Sequence, residues 1–401
     1  MSLQDTPRSN RLHIGIFGKR NSGKSSLMNA LTNQKIAVVS DIAGTTTDPV
    51  YKSMELHGIG PCVFIDTAGF DDTGDIGALR VSQTKKAMEK TDLALILFCA
   101  APDDEELRWV EQLKQSHIPI IAVVNKIDIL SDPEKILHAV AQTCGIPAIP
   151  VSARTGEGVA RIREEIIRAL PTDFENESIT GDLAAAGDVV LLIMPQDIQA
   201  PKGRLILPQV QVLRELLDKK CIVLSATTDQ LENALLTLKS PPKLIITDSQ
   251  VFKTVYDKKP AESMLTSFSV LMAGYKGDLV HFMEGAGAID RLTERSKVLI
   301  AEACTHAPLA EDIGREKIPR LLRKRVGEGL RVDIVSGSDF PQELTCYDLI
   351  IHCGACMFNR KYVLTRIEKA KKAGVPISNY GVVLAYLSGI LDKIDYIGSR
   401  S

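Results

Sequence analysis

Short apolar runs alternate with amphipathic stretches from Leu12 to Leu170. The runs 12–17, 62–65, 93–99, 118–124 and 148–151 have the length and composition of buried strands. Between them, apolar positions three and four apart predict helices over 24–32, 76–90, 105–115 and 157–170. Strand–helix alternation of this kind predicts a mainly parallel sheet covered on both faces. Residues 171–187 break the pattern: they are polar and acidic, with Asp173, Glu175, Glu177 and Asp182, and read as a linker. A second alternating block has strands at 188–194, 221–224 and 244–246, with helices at 209–219, 230–238 and 250–256. A third has strands at 297–301, 331–335, 348–351 and 375–377, with helices at 278–288, 314–324, 360–373 and 380–387. The pattern does not decide whether these two blocks form one sheet or two. The expected domains are 1–170, 188–264 and 265–401.

Composition adds exclusions. The 401 residues are 45% hydrophobic, enough to build several cores. Lys and Arg number 48 against 50 Asp and Glu, so a whole-chain basic footprint for nucleic acid is missing and no such partner is expected. The longest apolar run, 93–102, is half of the ~20 residues a membrane helix needs, so no membrane partner is expected. Residues 1–11 lack the apolar stretch of a secretory signal, which points to the cytoplasm. There, the eight cysteines are expected to be free thiols, metal ligands or redox groups.

Gly18-Lys19-Arg20-Asn21-Ser22-Gly23-Lys24-Ser25 fits G-x-x-x-x-G-K-[ST] between a strand and a helix. Its glycines let successive N–H groups point inward at phosphate oxygens. Asn21, Ser22, Gly23, Lys24, Ser25 and Ser26 are the phosphate-side candidates: Lys24 for the outer phosphates, Ser25 for Mg²⁺. Asp66-Thr67-Ala68-Gly69 follows the second run; Asp66 can hold the Mg²⁺ shell and the Gly69 N–H can sense a terminal phosphate. Asn125-Lys126-Ile127-Asp128 follows the fourth run, and the Asp128 carboxylate matches the paired donors of guanine, which adenine lacks. Ser152-Ala153 supplies a backbone N–H suited to the guanine carbonyl. Four elements in order, each at a strand end, read as a GTP site in a P-loop GTPase. The expected fold is therefore α/β with three domains, this GTPase followed by two smaller parallel α/β domains. Phe70 stands where Ras-like enzymes keep their water-positioning Gln, so unassisted turnover is expected to be slow.

Near the C-terminus, Cys304-Thr305-His306 follows one predicted strand and His352-Cys353-Gly354-Ala355-Cys356 another. In a parallel sheet both groups emerge at the carboxyl edge, where open α/β sheets place ligands. Cys353 and Cys356 alone allow a dithiol redox pair, half a metal site or two ordinary thiols. Three sulfurs plus imidazoles suit zinc or iron–sulfur equally. Cys62, Cys99, Cys144 and Cys221 lie in or beside apolar runs and read as small buried hydrophobes.

The nucleotide motifs resemble the translation-factor-like GTPases, in the branch that holds MnmE, Era and Der. Ala43-Gly44-Thr45-Thr46-Thr47-Asp48 resembles that branch's Gly-Thr-Thr element, which implies Thr46 as a switch threonine on Mg²⁺. Asn21 matches the asparagine of potassium-activated members, implying K⁺ beside the phosphates. A GTPase segment followed by C-x-H, then 45 residues, then H-C-x-x-C resembles the HydF family of FeFe-hydrogenase maturation GTPases over essentially the whole chain. Pro201 to Gln209 also looks like that family's middle domain. The resemblance implies a 4Fe–4S cluster on Cys304, Cys353 and Cys356 in 265–401, with His306 or His352 as a possible fourth ligand. It implies a homodimer through 188–264 and a scaffold or carrier role for a transient diiron precursor. The implied partners are the FeFe-hydrogenase apoprotein and the radical-SAM maturases. Two other readings stay open: a ribosome or tRNA GTPase with a zinc-binding tail, and a GTP-regulated thiol oxidoreductase.

Overall fold

The computed structural model describes residues 8–32, 50–56, 60–67, 69, 75–170, 178–195, 205–302, 313–337, 339–355 and 358–398. The chain forms two compact units, 1–174 and 175–401.

In the first unit the elements run β1 (Leu12–Gly18), α1 (Lys24–Thr32), β2 (Val50–Leu56), β3 (Gly60–Asp66), α2 (Asp75–Met88), β4 (Leu93–Phe98) and α3 (Asp104–Gln115). They continue as β5 (Ile120–Val124), α4 (Pro133–Cys144), β6 (Ala148–Pro150) and α5 (Val159–Ala169). The six strands form one sheet in the order β2-β3-β1-β4-β5-β6, parallel except for the β2–β3 pair. β1 and β4 are buried along their whole length, as apolar runs must be when helices cover both faces. Leu12, Ile14 and Ile16 pack with Leu27 and Leu31 of α1 on one face, while Phe17, Ile96 and Val124 pack with Trp109 and Leu113 of α3 on the other. The chain reverses direction across the sheet at β1, so the loop after β1 opens over the crevice at the carboxyl edge. Two elements here were not among those expected. β2 is half polar on an outer edge, and α4 begins at an Asp132 cap with Pro133 in its first turn.

The second unit contains β7 (Val189–Ile193), α6 (Leu207–Asp218), β8 (Ile222–Ala226), α7 (Leu231–Leu236), β9 (Leu244–Thr247), α8 (Phe252–Lys258) and β10 (Met264–Ser267). Then come α9 (Phe268–Lys276), α10 (Leu279–Ala286), β11 (Lys297–Glu302), α11 (Ile318–Val326) and β12 (Arg331–Ser336). The chain ends with β13 (Leu349–His352), α12 (Arg360–Ala373), β14 (Ile377–Asn379) and α13 (Tyr380–Leu387). Two separate four-stranded parallel sheets result, β10-β9-β7-β8 and β12-β11-β13-β14. In each, the second strand lies on one side of the first, and the third and fourth lie on the other.

β10 spans the division expected after residue 264: Leu265 pairs with Ile245 of β9 and exchanges two hydrogen bonds with Asp395, at 2.8 and 3.0 Å. α9 then packs on both sheets. Its Phe268, Leu271 and Met272 join Val190 and Leu192, while Ala273 joins Leu299 and Ile350. A helix buried on several sides carries no amphipathic stripe, which is why the hydrophobic pattern did not single it out.

Candidate functional site

The loop from β1 to α1 needs unusual backbone at two places. Asn21 has φ +58° and Gly23 φ +90°. A Cβ on Gly23 would stand 2.3 Å from Asn125 Nδ2, so only glycine fits beneath that amide. Lys24, 8% exposed, donates its Nζ to the carbonyls of Gly18 at 2.9 Å and Lys19 at 2.8 Å. Ser25 Oγ donates to Asp66 Oδ2 at 2.6 Å, which joins the P-loop to the end of β3. Two buried oxygens nearby, Ser22 Oγ and Asp66 Oδ1, have no hydrogen-bond partner among the described residues. Burial pushes the Asp66 carboxyl up, against the Ser25 hydrogen bond and the charges of Lys24 and Lys52. Orphaned oxygens beside a lysine and a carboxylate suit phosphates and a divalent cation.

Thr67 locks the strand end, its Oγ1 donating to Ile16 O at 2.7 Å, and Gly69 is buried. Lys19 is tied down by Asp103, the residue that caps α3, and by Glu106 at 3.4 Å. Thr46, Ala68 and Phe70 lie outside the described residues, as does the whole Gly44–Thr47 segment.

The base side is built around two residues. Asn125 Nδ2 donates to Ser22 O at 2.8 Å, and its Oδ1 accepts from the Ala153 N–H at 3.1 Å. One amide thus joins the phosphate loop to the Ser152-Ala153 loop. Asp128 Oδ1 accepts from Ser152 Oγ at 2.7 Å, and Oδ2 accepts from Arg154 Nε at 2.8 Å. The Ser152 hydroxyl foremost, with Arg154, holds the Asp128 carboxyl below its ordinary value, so it stands ready as an anionic acceptor pair. Lys126 adopts φ +63° between them. The Ser152 N–H goes to Glu157 O at 3.0 Å and the Ala153 N–H to Asn125 Oδ1, so the backbone N–H expected from this loop for a guanine carbonyl is engaged within the protein. Arg154, missed from sequence, had one signal: a charge two residues past Ser152.

At the cysteine edge, β11 and β13 are parallel neighbours with Ala301 opposite His352. Cys353 follows immediately; its N–H donates to Ala301 O at 3.0 Å and its Sγ accepts from the Ala355 N–H at 3.4 Å. Ala355 has φ +48°, a left-handed conformation that costs a non-glycine residue about 1 kcal/mol. His352 is fully buried, with Nδ1 2.7 Å from Cys353 O and Nε2 3.0 Å from Arg366 Nη1. Burial first, then the Arg366 charge, pushes its pKa down to about 3. Arg366 was not foreseen, although it stands in the buried stripe Tyr362, Val363, Arg366, Ile367, Ala370 of α12, where a charge is out of place. Cys304, His306 and Cys356 lie outside the described residues. Among the described residues no three His, Cys, Asp or Glu side chains gather to hold a metal.

Cys62, Cys144 and Cys221 are buried as expected, the Cys62 thiol pushed up to about 12 by burial. Cys99 departs from that expectation: it is half-buried and its Sγ donates to Ser22 O at 3.5 Å, because β4 ends beside the P-loop.

Fold and site together define a P-loop GTPase whose nucleotide domain is followed by a second α/β unit. Residues 13–126 match the family profile described as 50S ribosome-binding GTPase. Residues 179–277 match the hydrogen maturase F dimerization domain, and 280–395 the hydrogen maturase F tetramerization domain. The chain belongs to the hydrogen maturase F (HydF) family. It is 37% identical over 196 residues to GTPase Der of Wolinella succinogenes, a match covering 44% of this chain and 41% of that protein. With the tRNA modification GTPase MnmE of Chromobacterium violaceum it shares 34% over 170 residues, 42% of this chain and 37% of that one. The chain therefore spans about two fifths of the length of these curated relatives. A crystal structure of an Aquifex aeolicus Era variant bound to GDP and aluminium fluoride covers 57% of this chain and 98% of its own, at 19% identity and a TM-score of 0.37. No helix among the described residues is long and apolar enough to cross a membrane.

Proposed function

We propose that the chain is a Mg²⁺-dependent GTP hydrolase that serves as scaffold and carrier for the diiron precursor of FeFe-hydrogenase. Lys24 and the Ser22–Ser26 backbone bind the phosphates, Ser25, Thr46 and Asp66 hold Mg²⁺, and Asp128 with the Ser152-Ala153 loop reads guanine. K⁺ beside Asn21 supplies the charge that an arginine finger supplies in other GTPases. The Thr46 and Asp66–Gly69 segments respond to the terminal phosphate, and the resulting switch alters affinity for the apo-hydrogenase and the radical-SAM maturases. Assembly runs through the middle sheet as a homodimer, in the cytoplasm.

Cys304, Cys353 and Cys356 are proposed to hold a 4Fe–4S cluster, which brings an iron with an exchangeable fourth ligand when bound. His306 remains the candidate imidazole for that position. One observation carries this reading: Glu302, two residues before Cys304, and Cys353 leave adjacent parallel strands at one sheet edge. Such an edge is where parallel sheets present ligand-binding loops.

Anaerobic purification tests it. Brown protein with about four irons and matching sulfide per chain is expected, lost when Cys304, Cys353 or Cys356 becomes Ala. Colourless protein with stoichiometric zinc, or metal-free protein cycling a dithiol, overturns it. GTP turnover should be faster in K⁺ than in Na⁺, and equal rates would remove the proposed role of Asn21.

A further inference from the structure

The environment of His352 assigns its two ring nitrogens. Arginine has only donors, so the Arg366 Nη1–H at 3.0 Å requires a lone pair on Nε2. The ring proton then sits on Nδ1 and donates to Cys353 O at 2.7 Å. The same contact excludes a doubly protonated ring, because an Nε2–H would face the Arg366 donor with nothing to accept it. Neither nitrogen is left to ligate a metal. Freeing Nε2 would break its bond to a guanidinium that is 1% exposed.

Arg366 is itself unusual. Its Nη2 donates to Gly337 O at 2.6 Å and to Tyr362 Oη at 2.7 Å, and its plane lies over the rings of Phe340 and Tyr362 at 4.8 and 4.4 Å. Among the described residues its Nε has no hydrogen-bond partner. Dipoles and ring faces offset part of the cost of burying this charge. The His352 ring then links this guanidinium to the Cys353 carbonyl.

We propose that Arg366 is a positioning residue for the cysteine edge: it holds His352 in the Nδ1–H form, which fixes the Cys353 carbonyl and leaves His352 no ligand for a metal there. The exclusion of His352 as a ligand rests on the iron–sulfur reading above, whereas the hydrogen-bond link stands without it.

The full chain tests both. In metal-free protein labelled with ¹⁵N-histidine, one imidazole should be a pure Nδ1–H form, identified by its loss in His352→Gln. An Nε2–H ring at His352 overturns the proposal whether or not a cluster assembles. Arg366→Met should release that form and give a mixture of Nδ1–H and Nε2–H signals at His352, whereas Arg366→Lys, which keeps a donor, should retain it in part and remains informative if the Met variant does not fold. In protein reconstituted with iron and sulfide, His352→Gln should leave the nitrogen couplings in pulsed EPR of the reduced cluster unchanged. A pure Nδ1–H ring in Arg366→Met overturns the positioning role, and a nitrogen coupling lost in His352→Gln overturns the exclusion of His352 as a ligand. If the native chain binds no iron and sulfide yet shows the Nδ1–H ring, the function reading fails and the Arg366–His352 link survives.

Discussion

Asn125 joins the two halves of the nucleotide site with a single amide, and Gly23 is the residue that makes room for it. A methyl at Gly23 would meet that amide at 2.3 Å from a backbone already at φ +90°. Strain of this kind costs about 2 kcal/mol. Gly23→Ala is therefore expected to weaken GTP binding about 30-fold, read by titration with a fluorescent GTP analogue, with an unchanged circular dichroism spectrum. Asp128 is proposed above to set the specificity of the same site. Replacing a charged acceptor by Asn removes a hydrogen-bond contribution of about 1.5–3 kcal/mol. Asp128→Asn should weaken GTP and improve xanthosine triphosphate, and an undiminished preference for GTP in competition binding would remove the guanine assignment. Both residues were readable from their motifs. Arg154 on Asp128 and Arg366 on His352 were not, because each partnership joins residues distant in sequence or exposed to many possible partners.

The helix α6 shows how one side chain anchors an element. Its Glu215 accepts from Ser178 Oγ at 2.8 Å, Ile179 N–H at 2.6 Å, Thr180 N–H at 2.9 Å and Thr180 Oγ1 at 2.6 Å. Burial alone would raise its pKa, but these donors, Thr180 foremost, hold it below the ordinary 4.5. A depressed carboxylate stabilises the fold fully above the unfolded value and loses that contribution as pH falls through the folded one. Urea unfolding of the native chain should thus weaken below about pH 4.5, and Glu215→Gln should be less stable at pH 7 with a flatter acid limb. A native-like acid limb in Glu215→Gln would assign the effect elsewhere. Helix α12, with its Gly374 cap in the left-handed conformation, and α1 have the bounds the pattern predicted. β10 and α9 were unread because a four-residue strand and an apolar helix leave no period to detect.

The two sheets of the second unit depend on each other through α9. Phe268, 1% exposed, packs with Val190 and Leu192, while Val270 joins Leu191 and Ile193, and Ala273 reaches Leu299. Removing a buried ring costs about 3–5 kcal/mol. Phe268→Ala should lower the protection of amides in both β7 and β11 by a similar factor in native-state hydrogen exchange. A loss confined to the β7 sheet would mean that the sheets unfold separately. The shared strand order of the two sheets was invisible along the chain, since β8 and β12 are half-exposed edges and their neighbours are set by crossovers.

Local chemistry was enough to read a GTPase domain, the α/β alternation and the strand end before Cys353, because phosphate loops and buried strands each demand particular residues at short spacing. Folding alone settled which amide bridges the P-loop to Ala153, and that α9 serves two cores. It also settled that His352 faces a buried arginine. Those pairings join residues from 14 to 103 positions apart, and their energies come from burial and hydrogen bonding that no linear pattern carries.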